Sequence, residues 1–95
     1  MARKNQAAST QSMSPSDATV ARMLGRRLRV LRAMTGRSQA EISRSLNTDR
    51  SMLSRWERGL VMPRLSSMIR LANLYGVDVS SLLRDGPTSK REKGE

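Results

Sequence analysis

The 95-residue chain carries 18 Lys and Arg against 8 Asp and Glu, a formal charge of +10 and a pI near 11.7; this length holds one small domain with tails, excludes a multi-domain enzyme, and its basic excess points to a polyanionic partner. With no His and no Cys it lacks the usual metal ligands, the thiol nucleophile and the side chain that titrates near neutrality, so histidine- and cysteine-based catalysis are excluded and neither metal nor cofactor is expected. The longest unbroken apolar run, Leu60 to Met62, is far short of the roughly 20 residues that span a bilayer or the roughly 7–15 of a signal-peptide core, which predicts a soluble cytoplasmic protein with no membrane partner.

In chain order, residues 1–13 are rich in Ala, Ser, Gln and Asn without apolar periodicity, and are expected to form a disordered arm. Order is expected from Ser14, where Ser14-Pro15-Ser16-Asp17 supplies a capping side chain, a proline at the first helical position and an acid in the first turn. Val20, Leu24, Leu28, Leu31 and Met34 then recur at three- and four-residue steps, with Arg22, Arg26 and Arg29 on another face, until Gly36 ends this first helix. Ser38 and Glu41 form a capping box for a short helix over Gln39 to Leu46 whose apolar face is Ile42 and Leu46. Asn47 tolerates a positive φ, and Thr48 and Asp49 lead into a third helix, Arg50 to Arg58, with Leu53 and Trp56 spaced for burial and Gly59 closing it.

After a loop over Leu60 to Pro63, residues Leu65, Met68, Ile69, Ala72 and Leu74 show helical spacing up to Gly76. Asp78 then starts a final turn or two carrying Val79, Leu82 and Leu83, before Gly86-Pro87 breaks the pattern and residues 87–95 form a flexible charged tail. The expected fold is an all-α domain over residues 14–86 built from five short helices. Residues 18–86 hold 13 arginines and no lysine against five acids, a net +8, so the basic excess belongs to the folded part.

The informative stretch is Ser38 to Gly59, where two capped helices are joined by a three-residue turn and must cross steeply. Such a crossing needs a small residue at the contact, here Ser43, a turn residue tolerant of positive φ, here Asn47, and apolar inner faces, here Ile42, Leu46, Leu53 and Trp56. These residues resemble the helix-turn-helix domain of Cro and the phage repressors, the XRE family. The resemblance runs from about Leu24 to Leu83 and rests on Leu28-Arg29-Val30-Leu31-Arg32, Ser38-Gln39-Ala40-Glu41-Ile42, Leu53-Ser54-Arg55-Trp56-Glu57-Arg58-Gly59 and Leu71-Ala72-Asn73-Leu74-Tyr75-Gly76-Val77. Two residues depart from the family pattern: Ser43 stands where Ala is usual, and Asn47 where Gly is usual.

The resemblance implies a lambda-repressor-like fold and a sequence-specific transcriptional regulator, most often a repressor, bound to double-stranded DNA in the cytoplasm as a nucleoid-associated protein. Its third helix would lie in the major groove with Arg50, Ser51 and Arg55 as base readers, arginine matching O6 and N7 of guanine. For each arginine the alternative is a contact to phosphate or water, and Met52 is a candidate for a thymine methyl. Gln39 would hold a phosphate at the start of the second helix, with Arg37, Arg58 and Arg64 as candidate backbone contacts. Glu57, an acid in the reading helix, would pair with Arg32 of the first helix as a structural ion pair, while Glu41, Asp49 and Asp78 serve helix starts. No two acids are set up as a catalytic pair, so an enzyme is not expected.

A homodimer on DNA is expected, because one domain offers few base contacts and two copies read half-sites about one helical turn apart. Leu60, Val61, Met62, Leu82 and Leu83 are the candidate dimer patch, or else cover the core of a single copy. Control would come through expression level, proteolysis or a protein antagonist. A competing reading is an antitoxin-like interaction module that autoregulates through its DNA-binding domain, although the tail over 88–95 offers it no apolar anchor. A membrane-surface helix would want Trp or Phe on the apolar face of the first helix, and single-strand binding would want aromatic platforms, whereas Trp56 and Tyr75 sit at core-like positions.

Overall fold

Local signals place the helix boundaries. The computed structural model describes residues 13–84 as five helices: α1 (Pro15–Thr35), α2 (Gln39–Leu46), α3 (Arg50–Glu57), α4 (Leu65–Tyr75) and α5 (Val79–Leu82), with no strand among the described residues. The Ser14 side chain accepts from the Asp17 backbone N–H at 3.1 Å with Pro15 at the first helical position, and Gly36 closes α1 at φ 74°. At α2 the capping box is complete in both directions, Glu41 N–H to Ser38 Oγ at 3.1 Å and Ser38 N–H to Glu41 Oε1 at 2.9 Å. That backbone bond from Ser38, rather than the neighbouring arginines, is the main reason the Glu41 carboxyl is held below its usual range. Asn47 takes the left-handed conformation at φ 55°, the only non-glycine residue among those described to do so.

Leu24, Leu28 and Leu31 of α1, Ile42 and Leu46 of α2, Leu53 and Trp56 of α3, Leu71 and Ala72 of α4, with Val77 and Leu82, form one core. Within it α1 packs mainly on α3, α2 on α3, and α5 on α4. The α1–α3 approach is backbone-close: a Cβ added at Gly25 would lie 2.7 Å from the carbonyl oxygens of both Trp56 and Glu57. Immediately after α3, Gly59 combines φ 72° with a position where a Cβ would be 2.9 Å from Arg22 Cα. The carboxyl-terminal half of α3 is thus seated directly on α1.

The expected arm 1–13, apart from Met13, the segment past 84 and the tail 87–95 lie outside the described residues. Several expectations are corrected. Met34, placed on the apolar stripe of α1, is 61% exposed, because burial along α1 ends at Leu31. Leu65 and Ile69 are exposed, and the buried pair of α4 is Leu71 and Ala72. The third helix ends at Glu57, with Arg58 as its capping residue rather than its last turn. Leu83 lies just past α5 and is exposed. Asp49 and Asp78 occupy the positions that precede α3 and α5, but neither side chain bonds the helix it precedes.

Candidate nucleic-acid interface

The site is built on one buried carboxylate. Glu57, at the end of α3, is 1% exposed and takes a two-pronged bond from Arg32 of α1, Nε to Oε2 at 2.8 Å and Nη2 to Oε1 at 2.9 Å. This paired geometry matches the planar guanidinium to both carboxylate oxygens and pushes the Arg32 pKa up, its bond to Glu57 outweighing the opposing effect of burial. Oε1 also accepts from Gln39 Nε2 at 2.9 Å, so the first residue of α2 is joined to the last of α3. Arg32 Nη1 in turn reaches the Arg37 carbonyl at 3.3 Å. Arg29 donates to the Glu57 backbone carbonyl, satisfying an acceptor that the end of α3 leaves open. Three helices are fixed against one another at a single acid, and the exposed side of α3 is left to face outward.

On that outward side Gln39, Asp49, Arg50, Ser51 and Ser54 line a notch of about 450 Å³ between the starts of α2 and α3. Arg50, Ser51 and Arg55 are all exposed, and the two guanidinium groups make no hydrogen bond or ion pair among the described residues. Of the expected readers, Arg50 and Ser51 line the notch, while Arg55 stands one turn further along α3 outside its lining. Met52 is turned to the opposite flank of α3, where it borders a groove with Trp56, Met62 and Pro63. Gln39 has one amide hydrogen engaged by Glu57 and a second one available.

The expected backbone contacts are spread more widely. Arg37 uses Nη2 to donate to Ser45 Oγ at 2.7 Å and lies with Glu41 and Arg44 beside α2. Arg58 is exposed at the end of α3, and Arg64 precedes α4, bordering a pocket of about 180 Å³ with Ser67 and Arg70. Within the candidate dimer patch Leu82 is fully buried and Val61 and Met62 are half-buried against the core, whereas Leu60 is 55% and Leu83 38% exposed. The patch is therefore reduced to its two ends, since the residues between them are occupied in filling a single copy.

Sequence reasoning gave Ser54 no role and Asp49 only that of starting α3, yet both line the notch; Ser51, Ser54 and Arg55 sit at the three- and four-residue steps that share a helix face. It also missed the arginines engaged inside the fold. Arg27, buried within α1, donates through Nη2 to the Arg84 carbonyl at 2.9 Å, and Arg70 donates to the Leu46 carbonyl at the end of α2. No sequence signal marks these, because the acceptors are backbone atoms brought in from other elements.

Comparison with known proteins gives three findings. The sequence profile of the helix-turn-helix domain family matches residues 23–84. The chain is similar to the HTH-type transcriptional regulator ImmR of Bacillus subtilis (strain 168), 34% identical over 70 residues that cover 74% of this chain and 55% of that protein. It is also similar to the cryptic phage CTXphi transcriptional repressor RstR of Vibrio cholerae, 28% identical over 71 residues that cover 75% of this chain and 64% of that protein. The chain thus spans less than two thirds of the length of either relative. No solved structure matches significantly.

Proposed function

Starting from the fact that this chain belongs to the helix-turn-helix domain family, we propose that it binds double-stranded DNA sequence-specifically and regulates transcription, as a repressor, by occupying its site. The observation that carries this reading is the pair of exposed, unpaired guanidinium groups of Arg50 and Arg55 on a helix whose other side is anchored through Glu57. A rigid helix with free arginines at its outward face meets the geometric demand of bidentate guanine recognition in the major groove. The names of the two relatives, a transcriptional regulator and a transcriptional repressor, support the same function.

In this reading Arg50, Ser51 and Arg55 contact base edges. Gln39 uses its second amide hydrogen for a phosphate while the first stays on Glu57, and Arg37, Arg58 and Arg64 serve neighbouring phosphates. The protein acts as a homodimer on DNA, with Leu60 and Leu83 as the exposed apolar candidates for the seam. No helix among the described residues is long and apolar enough to cross a membrane.

The test is selection of bound duplexes from a random library with the full chain and with Arg50→Ala and Arg55→Ala. Each variant is expected to lose guanine preference at its own position, by about 1–3 kcal/mol. Enrichment of an unchanged sequence by both variants overturns the assignment of readers. Light scattering with and without the selected duplex reports the copy number, and one copy on a non-palindromic site rules out the dimer.

A further inference from the structure

Asp49 holds a position that its backbone surroundings do not explain. A residue preceding a helix ordinarily accepts, through its side chain, the backbone N–H two or three residues on, yet the Asp49 carboxylate makes no such bond. Only the Asp49 carbonyl serves the start of α3, accepting from the Met52 and Leu53 N–H groups, both at 3.1 Å. The side chain is exposed, has no hydrogen-bond or ion-pair partner among the described residues, and is the only acid lining the notch beside Gln39, Arg50 and Ser51. Two other acids near this surface are engaged: Glu41 completes the α2 capping box and Glu57 is buried under Arg32.

A bare carboxylate in a surface that receives phosphates opposes every bound duplex through charge alone. That opposition is offset where a base edge presents an N–H to it. Among the four bases the major-groove edge of cytosine offers the N4 amino group with no adjacent acceptor. Adenine offers N6 but sets the N7 lone pair beside it, while guanine and thymine present O6, N7 or O4, which repel a carboxylate. Resting on the reading of α3 as the base-reading helix, we propose that Asp49 is a specificity-determining residue that accepts a hydrogen bond from the N4 amino group of a cytosine, next to the base pair contacted by Arg50. Its selectivity comes as much from rejecting acceptor-bearing bases as from the bond to cytosine.

The experiment is random-duplex selection with the wild-type chain, Asp49→Ala and Asp49→Asn, with thermal melting of each protein. Because the carboxylate bonds nothing in the free protein, both variants are expected to melt with the wild type. Wild type is expected to prefer cytosine by about tenfold or more at one position, adjoining the position lost in Arg50→Ala. Asp49→Ala flattens that position alone and raises affinity for unselected duplex, with the salt slope unchanged because no phosphate contact is removed. Asp49→Asn, which can donate as well as accept, moves the preferred base away from cytosine. Sequence preferences identical in all three proteins, or an even loss across every position, overturn the proposal while leaving the DNA-binding reading intact. Failure of the wild type to enrich any sequence overturns both.

Discussion

A carboxylate as deeply buried as that of Glu57 is stable only while its oxygens are matched, and Arg32 supplies two of its three side-chain bonds. Arg32→Met removes both and leaves the charge facing Gln39 alone, so it is expected to cost about 3 kcal/mol in urea unfolding. Tyr75 is the opposite case. Its hydroxyl is buried without a partner among the described residues, and burial, reinforced by the nearby Glu57 charge, pushes its pKa up to about 12. The neutral phenol is the form the fold favours, so the native state keeps its proton while the unfolded chain releases it from about pH 10. Stability should therefore fall as pH rises between about 10 and 12. Tyr75→Phe should flatten that alkaline limb in melting curves and leave stability at neutral pH unchanged or slightly raised, because an unsatisfied polar group is removed. Neither the bond from Gln39 to Glu57 nor the orphaned Tyr75 hydroxyl was legible in the sequence, since the first depends on where α2 starts and the second on where α4 ends relative to α3.

At the scale of the helices, boundaries set by local chemistry were legible and those set by neighbours were not. Ser14 with Pro15, Ser38 with Glu41, Gly36 and Asn47 each act within four residues, so their signals survive in one dimension. Periodicity found the direction of the apolar stripe on α1 but not its length: Met34 continues the spacing beyond the last turn that anything covers. The exposed residues Arg50, Ser51 and Arg55 of α3 were singled out through the resemblance to repressors, whereas Asp49, expected to serve the start of the helix, holds that position without a side-chain bond to it. Gly25 was invisible as a crossing point, since a glycine inside a helical pattern carries no partner information. Gly25→Ala forces the Trp56 and Glu57 carbonyls apart and is expected to cost about 1–3 kcal/mol, read as a lowered melting temperature. Gly36→Ala, where nothing lies within 4 Å, would cost only the strain of its positive φ, which separates crowding from backbone conformation.

For the whole molecule, net charge overstates the number of guanidinium groups free to contact phosphate, because Arg27, Arg29, Arg32 and Arg70 each donate to an acceptor within the fold. The salt dependence of binding should follow the arginines that make no such bond instead. Arg64→Ala is expected to reduce the slope of log affinity against log salt by about 0.9 while leaving the selected sequence unchanged, measured by titration at several ionic strengths. The same four side chains give the absence of lysine from residues 18–86 a structural meaning. A flat fork that clamps a carboxylate at two points, or bridges from one helix to the open end of another, has no substitute in a single ammonium. A variant with every arginine exchanged for lysine would keep its electrophoretic mobility and its overall attraction to polyanions, yet come apart at lower temperature, which would reveal the guanidinium groups as mortar.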